Sequence, residues 1–222
     1  MSINPFHQLA NQWWDQDGPF HTLHDINPCR LSYIQSFVDL KQNRVMDLGC
    51  GGGILSESLA QAGAEVVGVD IEQRLIDVAK HHAESMNLSI DYRALNVENI
   101  ESEHFDVIVC MEMLEHVAEP REILSHCHRL LKSGGYLFLS TINRSLKAYF
   151  ELILMGEYVL GLLPRQTHDY HLFIKPSELM ASLQTLGFEL LDLKGMRYQP
   201  WSRKTALCQA VDVNYLLCAK KL

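Results

Sequence analysis

Apolar and polar positions along this chain follow two rhythms. Short, nearly unbroken apolar runs, such as Val66-Val67-Gly68-Val69 and Ile108-Val109-Cys110, read as buried strands. On this basis strands are predicted at 44–48, 65–70, 89–94, 105–111, 135–142, 188–196 and 213–219. Segments with helical spacing predict helices at 54–62, 72–86, 120–131 and 176–186. From Arg44 onward the two kinds alternate, which implies an α/β fold with a parallel sheet and helices on both faces. No helix separates the last two strands, so they are expected to pair antiparallel. Ligands of such sheets bind beyond the carboxyl ends of the strands, where Asp47, Asp70, Asn96, Met111 and Glu112 fall.

Ahead of the alternating part lies an arm, residues 1–40. Its start is polar, with Trp13 and Trp14 adjacent, and predicts a short helix and a turn at Asp17-Gly18-Pro19. Two neighbouring tryptophans cannot face the same side of a helix. Either one packs on the core and the other lines a site or lid, or both are packing residues. Pro28 suits the first turn of a second helix, with Asn27 as its N-cap and Leu31, Ile34 and Val38 as its apolar face. Arg30 then falls in that first turn, where a cation gains nothing from the helix dipole. The placement points to a specific anion, a ligand carboxylate or an ion-pair partner.

The sheet pattern leaves a second segment over, an insert at about 144–175. Within it, 146–163 is apolar around most of a helix and interrupted by Lys147, Glu151 and Glu157, with Arg144 and Arg165 as basic flanks. Such a helix suits an anionic membrane surface or a greasy substrate, and equally a buried helix or a dimer contact.

Composition narrows the class. The 222 residues fit a single domain, 1–222, with a full core. A net charge of −8 argues against a nucleic-acid partner held by bulk electrostatics. The six cysteines form no C-x-x-C pair, and no secretory signal opens the chain, so free thiols in a reducing cytoplasm are expected.

The chemistry concentrates in two stretches. The first is RVMDLGCGGG, 44–53, a strand that breaks into glycines and opens a helix. Gly49, Gly51, Gly52 and Gly53 allow a tight turn and close ligand approach. Leu55 stands where a dinucleotide fingerprint wants a small residue, and no P-loop lysine follows, so pyrophosphate grips are disfavoured. Asp70, at a second strand end about 20 residues on, suits two ribose hydroxyls. An adenosyl ligand without phosphates fits best. The second stretch is FDVIVCMEMLEHV, 105–117, in which Glu112, Glu115 and His116 follow a buried strand. Such a group can act as a general base or hold a hard cation such as Mg²⁺. His168 and His171, in HDYH, are further acid–base candidates on a lid.

The D-x-G-x-G-x-G turn with its later acidic residue resembles the class I S-adenosylmethionine (SAM)-dependent methyltransferases. Further segments, WW-x-x-x-G, INPCRLSYI, VMDLGCGGGILSESLA, CMEMLEHV, STINR, THDYHLFIKPSEL and VDVNY, closely resemble the ubiquinone-biosynthesis O-methyltransferases over nearly the whole chain. The resemblance implies a seven-stranded class I sheet with SAM as cofactor. It implies O-methylation of polyprenylated phenols and catechols, at both O-methylation steps of that pathway. It assigns Arg30 to the SAM carboxylate, Gly49 to the loop under the methionine, Asp70 to the ribose and Met111 to the region of the adenine. Eukaryotic relatives are similar at Glu112, Glu115 and His116, where a divalent cation is assigned. It also implies peripheral association of 146–163 with the inner face of the cell membrane, and partners among other ubiquinone-biosynthesis enzymes. Two rivals use the same residues: a class I methyltransferase for another small acceptor, and a non-catalytic SAM-binding regulator.

Overall fold

The computed structural model describes residues 9–101, 104–149 and 170–222. Its centre is one sheet in the order β3-β2-β1-β4-β5-β8-β6-β7. The strands are β1 (Arg44–Leu48), β2 (Glu65–Asp70), β3 (Asp91–Ala94), β4 (Phe105–Met111), β5 (Leu131–Ile142), β6 (Phe188–Gln199), β7 (Lys204–Cys208) and β8 (Asn214–Lys221). The first five pair in parallel, and β8 runs antiparallel between β5 and β6. The antiparallel pairing of the last two predicted strands is therefore present. An eighth strand, β7, extends the expected seven by turning β6 into a hairpin.

Among the described residues the longer helices are α1 (His21–Gln35), α2 (Ile54–Gln61), α3 (Gln73–Ser85), α4 (Pro120–Leu130) and α5 (Pro176–Thr185). Helices α4 and α5 cover one face through Leu124, Cys127, Leu130, Leu179 and Leu183, against Ile108, Leu137 and Leu139. On the other face α1 and α2 place Tyr33, Ile34, Leu55 and Leu59 against Val45, Val109 and Phe138. Both faces of β1, β2 and β4 are thus covered, which is why their sequences are continuous apolar runs rather than alternating ones.

The start of α1 corrects the sequence reading. The helix begins at His21, seven residues before Pro28, which lies in its interior. Phe20, packed at a tilt against Trp13 with ring centroids 4.3 Å apart, anchors that earlier start. Asn27 is no N-cap: it is buried and donates to Ser58 Oγ at 2.8 Å, tying α1 to α2. Arg30 accordingly sits in the third turn and is buried.

The β6–β7 hairpin clasps α1 from the far edge. Arg203 Nε donates to both Asp25 oxygens, at 2.9 and 3.1 Å, and its Nη1 reaches Asp17 at 2.7 Å. Tyr198 donates to Asp25 at 2.7 Å. Gly195 lets the chain return here, since a Cβ on it would fall 1.7 Å from the Ala210 carbonyl oxygen. The clasp fixes the helix that carries Arg30. Most of the predicted insert, from residue 150 to 169 and with it His168, lies outside the described residues. Among the described residues no helix is long and apolar enough to cross a membrane.

Candidate active site

Strand order reverses between β1 and β4, both of which pair in parallel. A crevice at the carboxyl ends there is where a doubly wound sheet binds its ligand. The glycine turn follows β1, with φ of +75° at Gly49 and +53° at Gly51, values that L side chains resist. Gly49 also has no room for a Cβ, which would meet Met113 Cγ at 2.6 Å.

Asp70 ends β2 and faces this turn. One carboxylate oxygen accepts the Gly51 N–H and the other the Glu72 N–H, each at 2.9 Å. Burial pushes its pKa up, and these two bonds pull the other way. Each oxygen keeps a lone pair for a further donor. Beside it, Ile71 is 76% exposed, an apolar side chain open to solvent. Asp47, on β1, is fully enclosed; burial lifts its pKa to about 6, against the Ser56 hydroxyl that donates to it at 2.6 Å.

Arg30 enters from α1 and is only 5% exposed. Its Nη2 lies 3.1 Å from Glu112 Oε1. Beyond this ion pair, Nε and Nη2 are buried and make no hydrogen bond among the described residues. A buried guanidinium with donors to spare is costly unless an anion completes it.

Beyond β4 the chain turns sharply, with Glu112 at φ +52°. Ser140 Oγ donates to Glu112 Oε1 at 2.8 Å, and the Glu112 N–H bonds the Ser140 carbonyl at 3.0 Å. Glu115 is 1% exposed and accepts from Thr141 Oγ1 at 2.7 Å. Burial first, and then the Glu112 carboxylate, push Glu115 well above the usual carboxyl range. Among the described residues its Oε1 meets no donor, and a proton on it would supply the bond to Glu112. His116 is exposed.

A family model for a methyltransferase domain matches residues 27–193. The ubiquinone biosynthesis O-methyltransferase of Coxiella burnetii (strain RSA 331 / Henzerling II) is 49% identical over 215 residues, 96% of this chain and 92% of the relative. That of Xanthomonas campestris pv. campestris (strain B100) is 47% identical over 222 residues, 99% and 93% of the two chains. This chain belongs to the ubiquinone biosynthesis O-methyltransferase family. It is a SAM-dependent O-methyltransferase.

The fold agrees with that membership. A magnesium protoporphyrin IX methyltransferase from Synechocystis PCC 6803 with bound SAH superposes with a TM-score of 0.70 at 21% identity, covering 94% of this chain and 88% of that one. A SAM-dependent methyltransferase from Thermotoga maritima gives a TM-score of 0.69 at 17% identity, covering 98% of each chain.

The predicted cofactor residues of this O-methyltransferase lie close in the fold: Asp70 and Met111 end β2 and β4, Gly49 follows β1 between them in the sheet, and Arg30 of α1 pairs with Glu112, next to Met111. The donors left over on Arg30 fit a ligand carboxylate, and the spare lone pairs of Asp70 fit hydroxyls. The predicted cation group is arranged differently. Among the described residues no three His, Cys, Asp or Glu side chains form a metal-holding group. Glu115 is bonded inward to Thr141 while His116 is exposed, so the three do not fit Mg²⁺ as placed.

Sequence reasoning left open which tryptophan meets the site, and Trp13 lies over Gly51 and Gly52; it missed other neighbours of this edge, such as Met113, which packs on Gly49. Ser140 and Thr141, at the end of β5, bond the two glutamates. The motif STINR carried the last two in plain view, but only the β4–β5 pairing says whom they face.

Proposed function

We propose that this chain transfers the SAM methyl group to phenol and catechol hydroxyls of polyprenylated ubiquinone precursors, at both O-methylation steps. The observation that carries the reading is identity near one half with relatives of that name across almost the entire chain, and the buried Arg30 nitrogens without hydrogen bonds among the described residues support it. The chain acts as one catalytic domain, 1–222.

SAM supplies a sulfonium methyl, which an oxygen nucleophile attacks in line. Arg30 holds the methionine carboxylate with Nε and Nη2, and the Gly49 turn lies under that moiety. Asp70 accepts the ribose hydroxyls. Met111 and the exposed Ile71 offer apolar surface to the adenine.

The acceptor must lose a proton. A phenol titrates near pH 10, so little phenolate exists at pH 7. Of the three candidates after β4, His116 alone is exposed, and it serves as the general base. Glu112 pins Arg30, and Glu115 in its neutral form braces Glu112. No step here runs through a metal: Mg²⁺ at 112, 115 and 116 would require Glu115 to leave Thr141 and turn outward. Holding oxygen and methyl in near-attack geometry supplies much of the remaining rate.

The prenyl tail contributes about 0.8 kcal/mol per buried CH₂. Parking it in a membrane suits the apolar segment 146–163, whose first residue, Leu146, is 83% exposed. Peripheral association with the inner face of the cell membrane, in a cytoplasmic protein, follows from this reading. So do contacts with other ubiquinone-biosynthesis enzymes.

Methyl transfer to a short-chain prenyl catechol, with and without chelator, tests the proposal. Transfer that survives chelator supports a metal-free base. Transfer lost in chelator and restored by Mg²⁺ keeps the reaction and overturns the role of His116. No transfer, with SAM still bound, moves the chain to another acceptor.

A further inference from the structure

The outer side of the glycine turn is gripped by the N-terminal segment, through residues with no part in the chemistry above. Trp13 lies flat enough against the turn that a Cβ on Gly51 or Gly52 would fall 2.4 or 2.3 Å from its ring. Trp14 Nε1 donates to the Gly52 carbonyl at 2.9 Å. The Trp14 ring stacks on His82 of α3, with centroids 3.4 Å apart and planes 4° from parallel. His82 Nδ1 donates to Glu57 Oε1 at 2.7 Å. Glu57 sits in the first turn of α2, and its own N–H bonds the Gly53 carbonyl at 3.0 Å. The circuit therefore starts at Gly52 and closes at Gly53.

We propose that Trp14, His82 and Glu57 form a latch that holds the glycine turn in its cofactor-binding shape and so helps set SAM affinity. The proposal rests on the reading that SAM lies along this turn. Four glycines among five residues leave a turn with little shape of its own and much entropy to lose on binding. Asp70 constrains the turn from the sheet side, through Gly51 N–H. The latch constrains it from the outside, through Gly52 C=O. Glu57 is buried, so it favours one fixed partner, and its bond to Nδ1 orients the imidazole for the stack. An indole lying parallel on an oriented ring then keeps its N–H aimed at one carbonyl. All three are positioning residues. They act through the Gly52 carbonyl and not on the reacting atoms.

The test uses the full chain, with S-adenosylhomocysteine as calorimetric probe and amide exchange at 49–53 as a second readout. The variants are Trp14→Phe, His82→Ala and the pair combined. Losing the stack or the indole N–H should each weaken binding, His82→Ala by about tenfold. The double variant should bind scarcely worse than the weaker single, as expected of a unit. Exchange at the glycines should quicken while KM for the catechol stays unchanged. Single variants that bind like the wild type, or losses that simply add, would overturn the latch. Should His82→Ala fail to fold, Trp14→Phe, which keeps an aromatic ring and removes the indole N–H, carries the same test. A wild-type chain that binds no S-adenosylhomocysteine would instead remove the cofactor reading on which the latch depends.

Discussion

Asp70→Ala separates the two jobs assigned to this carboxylate. In the folded chain its oxygens accept the Gly51 and Glu72 N–H groups, and the proposal adds two ribose hydroxyls. A hydrogen bond to a charged group is worth about 1.5–3 kcal/mol net. Losing both ribose bonds, with water partly replacing them, should cost about 2–4 kcal/mol of SAM binding. That is roughly a 30- to 1000-fold rise in Kd. The stability effect is smaller. Two N–H groups lose their acceptor at a half-buried position that water can reach, which costs about 1–2 kcal/mol. Burial raises the pKa of Asp70, so its ionised form opposes folding and alanine relieves that opposition. A domain with a total of about 5–15 kcal/mol should therefore stay folded. Calorimetric titration with SAM, alongside thermal melting, reads both quantities. A Kd within about threefold of wild type, in a chain whose melting temperature has dropped, would leave Asp70 a purely structural clamp and refute the ribose contact.

Other perturbations probe the remaining parts. Gly52→Ala should drive the Trp13 ring off the turn and destabilise by about 1–3 kcal/mol, read by denaturant melts; an unchanged midpoint would contradict the packing. His116→Gln should lower kcat by at least about 100-fold with SAM affinity intact, and a normal kcat would remove it as the base. At Asp25, burial raises the pKa, but Arg203 and Tyr198 outweigh it and leave the group below its ordinary value. Its contribution to stability is therefore present above about pH 4 and lost as pH falls through the lower folded value. Asp25→Asn should melt lower than wild type at pH 7 and converge with it in acid; parallel curves would argue against the clasp. Replacing Leu152, Ile153 and Leu160 by Ser should release the protein from anionic liposomes, and undiminished co-sedimentation would sink the membrane proposal.

The strand–helix alternation was readable because both faces of β1, β2 and β4 are covered, leaving continuous apolar runs between turn signals. Gly49, Asp70 and Met111 were readable because strand ends are marked locally. What failed was nonlocal. Pro28 looks like a helix start, yet Phe20 and Trp13 pack together and begin α1 earlier. Arg30 meets an anion as expected, Glu112 at Nη2, but from the third turn of α1 rather than its first, with Nε making no hydrogen bond among the described residues. Glu112, Glu115 and His116 sit within five positions, but Thr141 draws Glu115 inward and His116 stays exposed. Strand β7 was invisible as a strand because Lys204–Cys208 is an exposed edge with little apolar pattern.

The most direct test of the central claim is product analysis after incubating the chain with SAM carrying a labelled methyl group and a short-chain prenyl catechol. The account predicts label on a ring oxygen, with S-adenosylhomocysteine released in equal amount, and loss of both in Asp70→Ala at limiting SAM. Label on carbon or nitrogen, or none on the catechol while SAM still binds, would contradict it.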